Sequence, residues 1–426
     1  VEANIRRDGT SRIFKDSRWG VFPSFSGAWR IINEPFMEGT RNVLSDLKLR
    51  GGWGVLGNQA ISYYSYQSVL DQANYSFGGT VVQGVAPVDG ANRDLIWETT
   101  ETLNFGLDMG FLGNQYTLSI EGYRKLTYDI LMKLPVSTLY GLNAPYQNAG
   151  KVKNTGLEIT AGYKLNTHGW NFQVSANAAY NKNEVMDLKN GGARIWSGKY
   201  FNQEGYAINS IGGYIAEGLF KTEEEVANSA TIPGTDTAPG DIKYRDINND
   251  GKIDGEDRVY IGNTMPKWTF GLNLFAEWKG LDATFLFQGA ADVQGYLAGP
   301  GVVGEMIGAK GKPSYMYRDC WDAETNPNGK FPRAFSSYRQ NNSIYNPSSF
   351  WIVNSSYLRL KNFQLGYTLP KEWCNMMGIS RIRVYYSGQN LLTFTKFDKG
   401  FDPESPEGGS SYPQVKTNTF GLNITF

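Results

Sequence analysis

The feature that most constrains this chain is a strict alternation of apolar and polar residues over stretches of ten or more positions. Residues 151–165 and 169–182 both show it, and it recurs at the C-terminus, where the apolar members are Phe420, Leu422, Ile424 and Phe426. Successive side chains of a β-strand point to opposite faces. A period of two therefore indicates strands with one apolar face and one polar face.

About 12 such strands are predicted along the chain. In addition to those above and the first few residues, they lie near 21–32, 44–57, 95–111, 115–131, 266–278, 281–291, 355–369 and 380–394. Many are longer than the roughly five or six residues usual in soluble sheets. They reach the length of about 9–11 residues that a tilted membrane-spanning strand requires.

The connections between these strands alternate between short and long. The short ones lie near 33–43, 112–114, 166–168, 279–280 and 370–379, and the long ones near 58–94, 132–150, 183–265, 292–354 and 395–415. Outer-membrane barrels have short periplasmic turns and long extracellular loops. In hydrocarbon, only helices and closed barrels satisfy every backbone polar group. The pattern therefore predicts an all-β fold, an antiparallel transmembrane β-barrel.

Composition excludes several other classes of protein. No run of 18 or more apolar residues exists, which excludes a transmembrane helix. Lys+Arg and Asp+Glu are balanced at 41 each, so bulk charge gives no reason to bind nucleic acid. The opening VEANIRRDGT has no signal-peptide pattern, so we expect the chain to be a fragment.

About 12 strands with a polar inner face cannot protect two open sheet edges. We therefore expect the missing N-terminal part to supply the remaining strands.

Several segments resemble the SusC/RagA family of TonB-linked transporters, in family order and nearly end to end. They include RRDGTSRIF, LKLRGGWGVLGNQAI, NAGKVKNTGLEITAGY, PGDIKYRDINNDGKIDGEDRVYIGNTMPKWTFGLN, YLRLKNFQLGYTLPK and IRVYYSGQNLLTFTKFDKGFDPE. The resemblance implies a barrel of about 22 strands, of which residues 1–426 form about the last half. The plug domain and TonB box would precede this chain.

The resemblance also implies partners and a location. Such transporters lie in the outer membrane of Gram-negative bacteria, where a SusD-like surface lipoprotein closes over the mouth of the barrel. The TonB complex supplies energy through the missing N-terminal region. The substrates are oligosaccharides or peptides, and two transporter–lipoprotein pairs can associate as a dimer. The lipoprotein is expected on the long loops 58–94, 183–265 and 292–354.

One acidic segment has the spacing of an EF-hand calcium loop. Its candidate ligands are Asp246, Asn248, Asp250, the carbonyl of Lys252, Asp254 and Asp257. Oxygen atoms at this spacing suit a hard Ca²⁺ ion, although the last position is Asp where a longer Glu is usual. The alternative is an Asx-rich surface turn without metal. A bound Ca²⁺ would be structural and would order the loop 183–265.

Aromatic residues of the predicted extracellular loops are candidates for contact with substrate or with the lipoprotein lid. They are Tyr63, Tyr64, Tyr66, Tyr75, Trp196, Tyr200, Phe201 and Trp321. Such rings can stack on the apolar face of a sugar or on a peptide side chain. The alternative is packing within the loops. Aromatics at strand ends are expected in the interfacial girdles, namely Trp268, Trp278, Tyr357 and Tyr367.

Catalysis has no support in the sequence. His168 is the only histidine and lies in a predicted turn, and neither a zinc motif nor a nucleophile elbow is present.

Glu223–Glu225 indicate a solvated helix in a loop. Cys320 and Cys374 could form a disulfide or remain two thiols. The aromatic terminus, with Phe420, Leu422, Ile424 and Phe426, fits a signal for barrel assembly.

Two alternatives to an energised importer remain. An outer-membrane receptor or passive pore would lack a plug and a TonB box, and a secreted calcium-stabilised adhesin would be soluble without detergent. For a barrel, alternation predicts which residues face lipid: Leu157, Ile159, Tyr163, Phe172, Val174, Phe270, Leu272 and Leu274. Glu158, Thr160, Asn171 and Gln173 would then face the lumen.

Overall fold

The computed structural model describes residues 1–297, 319–334, 346–397, 401–405, 412 and 414–426. The strands in chain order are β1 (Glu2–Gly9), β2 (Trp19–Arg30), β3 (Leu44–Asn58), β4 (Leu70–Phe77), β5 (Thr80–Pro87), β6 (Glu98–Phe111), β7 (Tyr116–Lys133), β8 (Tyr146–Thr167), β9 (Trp170–Asp187), β10 (Ile195–Ser197), β11 (Tyr200–Asn202), β12 (Ser210–Gly213), β13 (Ala216–Leu219), β14 (Ile242–Tyr244), β15 (Val259–Gly262), β16 (Trp268–Trp278), β17 (Leu281–Ala291), β18 (Gln294–Tyr296), β19 (Ile352–Asn354), β20 (Tyr357–Thr368), β21 (Arg381–Thr395) and β22 (Thr417–Thr425).

Twelve long strands form one antiparallel sheet. Its order is β1-β2-β3-β6-β7-β8-β9-β16-β17-β20-β21-β22, so each long strand pairs with the next one along the chain. Every predicted long strand is present, and the predicted stretch 281–291 coincides with β17. The all-β, antiparallel fold expected from the alternation is therefore confirmed.

The helices of the described residues are all short. The α-helices there are α1 (Glu223–Ala227) and α2 (Lys371–Met376), and the 3-10 helices are Lys15–Ser17, Ile31–Asn33, Pro35–Thr40, Thr138–Tyr140, Gly255–Asp257 and Ser349–Trp351. Helix α2 lies in the short connection between β20 and β21, where the sequence predicted only a turn. Within the described ranges, no helix has the length and apolarity required to cross a membrane.

The shorter strands lie in the long connections. β4 and β5 form a hairpin, β10, β11, β12 and β15 form a small sheet, and β13 pairs with β14 and β18 with β19. The predicted long loop 183–265 is thus largely structured. The predicted loops 292–354 and 395–415 fall partly outside the described residues.

The chain divides into two compact units. The first comprises Val1–Lys164, Asn177–Trp196 and Asn202–Ile208, and the second comprises Leu165–Ala176, Ser197–Phe201 and Asn209–Phe426. The first unit has small apolar clusters where strands meet long connections, one of them formed by Ile61, Tyr66 and Leu95. The second has a larger core of loop residues, including Ile211, Tyr244 and Trp351.

Candidate functional site

A charged network covers the polar face of β3, β6 and β7. The guanidinium of Arg50 contacts the carboxylates of Asp108 and Glu121, with Nε lying 3.2 Å from Oδ2 of Asp108. Asn104 Nδ2 donates to Glu121 at 3.0 Å, and Ser119 Oγ donates to Asp108 at 2.7 Å. Charges facing hydrocarbon are costly. This face of the sheet therefore suits a water-filled interior.

Strand register places the predicted lipid and lumen residues of the first unit on opposite faces. Ile120 of β7 pairs with Ile159 of β8, whereas the adjacent pair, Glu121 with Glu158, points to the other side. Glu158 thus shares a face with the charged network. Alternation predicted this sidedness, but it did not identify the network itself, which depends on which strands are neighbours.

The second unit has the same two-sidedness. The rings of Trp170 and Trp278 stack with centroids 5.3 Å apart on the apolar side. The side chain of Asn171, one position along β9, donates to Glu277 at 3.4 Å on the polar side. Aromatic stacking at the turn-side strand ends agrees with the girdle expected to include Trp278.

Residues from two predicted long loops pack into one core above the second unit's strands. Ile211, Ile242 and Ile253 from 183–265 are almost completely buried together with Trp351 from 292–354. Asp241, whose side chain is 1% exposed, accepts a hydrogen bond from Nε of Arg333 at 2.9 Å. This ion pair, in which the carboxylate is buried and the guanidinium is partly exposed, joins the two loop segments.

The acidic segment 246–257 adopts a closed turn. Asp246 accepts hydrogen bonds from the backbone N–H groups of Asn249 and Gly251, at 2.6 and 2.8 Å. Asp250 accepts from the N–H of Lys252, and this hydrogen bond is the main reason that the pKa of Asp250 lies below its usual range. Asn249 and Gly251 have φ values of 60° and 83°, which form the sharp turn that Gly251 was predicted to permit.

The far end of this segment is anchored in the protein. Asp257 is completely buried, and its carboxylate accepts N–H hydrogen bonds from Ile247 and Asp254, each at 2.8 Å. Asp254 in turn caps the 3-10 helix that follows, by accepting from the N–H of Glu256. Across the described ranges, no group of three or more His, Cys, Asp or Glu side chains is gathered for a metal. The donor types suit Ca²⁺, but the side chains do not converge, and calcium binding stays a prediction.

Three of the eight candidate loop aromatics are well exposed. These are Tyr63, Tyr64 and Tyr75. Arg12 lies over the ring of Tyr63, 4.5 Å from its centroid, which orients that ring at the surface. These three side chains are accessible to a large ligand or to another protein.

The other five candidates are less accessible. Trp196 and Tyr200 are half-buried. Tyr66, Phe201 and Trp321 are buried, so contact with substrate would require them to leave their packed positions. These three side chains pack inside the loops, as the alternative to ligand contact proposed. The sequence left both alternatives open, because burial of a loop aromatic depends on distant segments of the chain.

The hairpin β4–β5 has large apolar residues exposed on both of its faces. Register places Tyr75 opposite Val82 on one face, and Ser76 opposite Val81 on the other, with Val85 further along that second face. The only charged residue between Leu70 and Pro87 is Asp71. A two-stranded hairpin is marginally stable alone in water. An apolar surface of this kind is typical of a protein-contact site.

The remaining candidates occupy ordinary environments. His168 lies in the turn after β8, where its Nδ1 is 2.8 Å from Oγ1 of Thr167. Glu223–Glu225 begin helix α1, and Glu225 pairs with Lys243 at 3.0 Å.

Cys320 and Cys374 are both buried and form no disulfide with each other. Of the two alternatives, a disulfide or two thiols, the structure has two thiols. Burial raises the pKa of the Cys320 thiol to about 11, so little of it is present as the thiolate at neutral pH.

The C-terminal strand lies at an edge of the sheet. Pairing with β21 places Phe420, Leu422 and Ile424 on one face of β22, where they are exposed, and Phe426 follows the strand. The register puts Leu422 on the same face as Val384, Tyr367 and Leu281, which is the apolar face that meets lipid in a barrel. The row is compatible with the assembly signal expected from the sequence.

Comparison with known proteins gives one family for nearly the whole chain. The family described as TonB dependent receptor-like, beta-barrel matches residues 1–391. TonB-dependent receptor P3 of Formosa agariphila is 31% identical over 445 residues, which cover 99% of this chain and 43% of that protein. TonB-dependent receptor SusC of Bacteroides thetaiotaomicron is 31% identical over 459 residues, which cover 99% and 42%.

A solved structure shows the same fold. The structure of the RagAB peptide transporter aligns with a TM-score of 0.80 and 28% identity, covering 100% of this chain and 45% of that one. The same transporter is also described as a peptide importer in a "closed-closed" and an "open-open" state. The chain spans less than half the length of the curated relatives that it matches.

Proposed function

We propose, from the premise that this chain belongs to the TonB-dependent receptor β-barrel family, that it forms part of the wall of an energised importer of oligosaccharides or peptides. The resemblance to SusC/RagA transporters is confirmed, and the chain is an outer-membrane protein of a Gram-negative bacterium. The observation that carries the proposal is the two-faced sheet, with a charged network around Arg50 on one side and an apolar surface on the other. Such a wall suits a polar solute passage within lipid.

A SusD-like lipoprotein is the proposed partner at the extracellular side. Its contacts would come from the long loops 58–94, 183–265 and 292–354. The exposed, nearly uncharged hairpin β4–β5 supports this part of the proposal, because it offers apolar area to a protein surface. The lipoprotein would act as a hinged lid that retains part of its contact on opening. Two such pairs would associate as a dimer.

The substrate class is proposed from the accessible aromatics and from the relatives. Tyr63, Tyr64 and Tyr75 present exposed rings that suit stacking on sugars or peptide side chains. A solved relative is described as a peptide importer, and SusC is a curated relative. TonB would couple to the complete transporter through its N-terminal region. The proposal involves transport without a catalytic step.

Calcium binding by segment 246–257 is a further part of the proposal. Asp246, Asn248, Asp250, the Lys252 carbonyl, Asp254 and Asp257 would surround one ion at about 2.3–2.6 Å. The sharp turn at Gly251 supports it, because an EF-hand loop has the same bend at this position. The ion would only stabilise the loop.

An outer-membrane receptor or passive pore is the alternative. Such a protein has the same two-faced sheet, so the barrel wall does not separate the two functions. Partner recovery and energy dependence do separate them. A receptor or pore would function without the surface lipoprotein and without TonB.

The direct test of the partner is a pull-down from native membranes in mild detergent, with a tag on the complete transporter. We expect a surface lipoprotein to copurify in about equal amount.

A matched pair of variants locates the contact. Val82→Lys on the exposed hairpin should weaken recovery, and Thr417→Lys at the start of β22 should not. Recovery of no lipoprotein from the unaltered transporter would contradict the partner proposal. Identifying any copurified ligand then distinguishes peptide from oligosaccharide.

A further inference from the structure

A group of cationic side chains lies on the outward face of the first unit, eight to ten residues from the turn-side end of the β7–β8 pairing. The apolar residues that define this face are Leu118 and Ile120 of β7 and Leu157 and Ile159 of β8. The register of these strands is continuous from Tyr116 to Thr127, so alternation places Arg124 on the same face as Ile120, and Lys153 on the same face as Leu157. Their neighbours Lys125 and Asn154 point to the opposite, polar face.

The positions of Arg124 and Lys153 across the membrane can be counted in residues from the turn-side end of the β7–β8 pairing. There the rings of Tyr116 and Tyr163 pack with centroids 4.7 Å apart, as in an interfacial girdle. An apolar band about 25 Å tall takes about ten residues of a strand that rises ~3.3 Å per residue and tilts by roughly 40°. Lys153 lies about ten residues from Tyr163 along β8, and Arg124 about eight from Tyr116 along β7. Both therefore lie near the opposite edge of the band, on the side of the long loops.

Three cations and one carboxylate make up the group. The ammonium nitrogens of Lys153 and Lys182 lie 3.0 and 3.5 Å from the same Oε2 atom of Glu184. The Cα partner of Arg124 is Thr155, which is two positions from Lys153 on the same face, so Arg124 is a diagonal neighbour of Lys153. In the part of the chain that the structure describes, Arg124 forms no ion pair. The group keeps an excess of positive charge.

We propose that Arg124, Lys153 and Lys182 bind the phosphate group of a glycolipid in the outer leaflet of the outer membrane. The planar guanidinium fork matches phosphate oxygens in two parallel hydrogen bonds, and ammonium groups add charge-assisted ones. Arg124 is exposed and the Lys182 side chain is 58% exposed, so both reach an external ligand. The acyl chains of the same lipid lie along Leu157 and Ile159 below.

The position selects a lipid as the source of the phosphate. A free phosphate gains nothing from the apolar surface below the cations, whereas a lipid contacts both regions at once. Binding depends on the orientation of the barrel, with the long loops outside, but not on the substrate or on the surface lipoprotein. Its failure would therefore leave the transport proposal intact.

The test uses the complete transporter–lipoprotein complex, stripped of lipid in detergent. Native mass spectrometry measures binding of phosphorylated lipid A, of dephosphorylated lipid A and of inorganic phosphate. The variants are Arg124→Gln, Lys182→Gln and both together, which leaves the Lys153–Glu184 pair in place. Lys125→Gln is the matched control, because it removes a cation one position along the same strand but on the opposite face.

The double variant should bind phosphorylated lipid A at least about tenfold more weakly than the unaltered complex. Each single variant should show part of that loss, and Lys125→Gln none. Dephosphorylated lipid A should bind all the proteins equally. Equal affinity of the unaltered and double-variant complexes for the phosphorylated lipid would overturn the site. Displacement of that lipid by an equal concentration of inorganic phosphate would overturn the assignment to a lipid. If the double variant fails to form a heat-resistant barrel, the single variant Lys182→Gln decides by the same comparison.

Discussion

Arg359 and Asp402 form an ion pair with 2.8 Å between Nη2 and Oδ1, and their side chains are only 3% and 6% exposed. Arg359 belongs to β20, and Asp402 belongs to the connection that follows β21. Asp402 also accepts backbone N–H hydrogen bonds from Glu404 and Gln414. Oε1 of Glu404, in the same connection, also lies 3.0 Å from Nη1 of Arg359. Asp402 is the more buried of the two carboxylates that hold this connection against the strand.

Removing the charge of Asp402 should release the connection. Asp402→Asn leaves the buried Arg359 with Glu404, 3.0 Å away, as its partner. We therefore expect a cost below the range of about 3–5 kcal/mol that is typical of a fully broken buried pair. Hydrogen–deuterium exchange over 395–405 should rise strongly, with little change in the strands. Lys361→Met is the control, because Lys361 pairs with Glu404 at 3.1 Å but is partly exposed. Its effect should stay below about 1 kcal/mol. Equal exchange in the two variants would contradict this role of the buried pair.

The same contact predicts a dependence on pH. Burial alone would raise the pKa of Asp402, but hydrogen bonds from Arg359 and from two backbone N–H groups, with the charge of Arg359, hold it below its usual value. A lowered pKa in the folded state stabilises the contact above the ordinary Asp value of about 3.9, and this stabilisation is lost as pH falls through the lowered pKa. Exchange of 401–405, corrected for its intrinsic pH dependence, should stay constant from neutral pH to about pH 5 and rise only below about pH 4. A rise in the exchange of 401–405 that already begins near pH 6 would contradict this role of Asp402.

Arginine substitutions test which face of the sheet meets lipid. Ile159→Arg places a charge on the apolar face near the middle of the membrane, where it should destabilise the barrel by about 2–4 kcal/mol. Thr160→Arg, one position along β8 on the polar face, should cost much less. Urea unfolding of the complete transporter in lipid vesicles measures both. A larger cost for Thr160→Arg would reverse the assignment of the two faces.

Calcium should order the segment 246–257. We expect Ca²⁺ to protect the loop 183–265 from protease and Asp250→Ala to remove that protection, with the barrel unchanged. Asp322→Ala provides the control, since Asp322 closes a similar turn through the N–H groups of Glu324 and Thr325 but has no EF-hand spacing. If the loop of the unaltered protein is equally protected from protease with and without calcium, the proposal that segment 246–257 binds Ca²⁺ is wrong.

Deletion of Phe426 tests barrel assembly. The residue is 87% exposed after β22 and forms no part of a core, so its loss should not destabilise the folded sheet. If the terminal aromatic is read during insertion, the deletion should reduce the amount of folded transporter in the outer membrane severalfold. Deletion of the exposed Leu139 in the connection after β7 serves as the control. Undiminished insertion without Phe426 would eliminate the signal role.

Sequence reasoning predicted the long strands well because alternation is a local property. Leu157 and Glu158 differ in face simply because they are adjacent in an extended chain. The register shifts between Leu286 and Phe287 and between Leu360 and Asn362 were not predicted. A β-bulge depends on the partner strand.

The loops were predicted less well, because their packing is non-local. Phe201 and Trp321 were candidates for contact with substrate or with the lid, with packing inside the loops as the alternative, and both are buried. The ion pair between Asp241 and Arg333 joins residues almost a hundred positions apart, and nothing in either local sequence indicates it. The hairpin β4–β5 was missed for a simpler reason, since its sequence alternates over only a few residues.

The central claim is energised import, and uptake with and without TonB tests it most directly. Cells carrying the complete transporter and its lipoprotein would be given the labelled peptide or oligosaccharide identified by copurification, and internal label would be measured before and after depletion of TonB. The account predicts that uptake falls to the level of cells lacking the transporter, while binding at the surface persists. Uptake that continues at its full rate without TonB would contradict the account and identify the barrel as a passive pore.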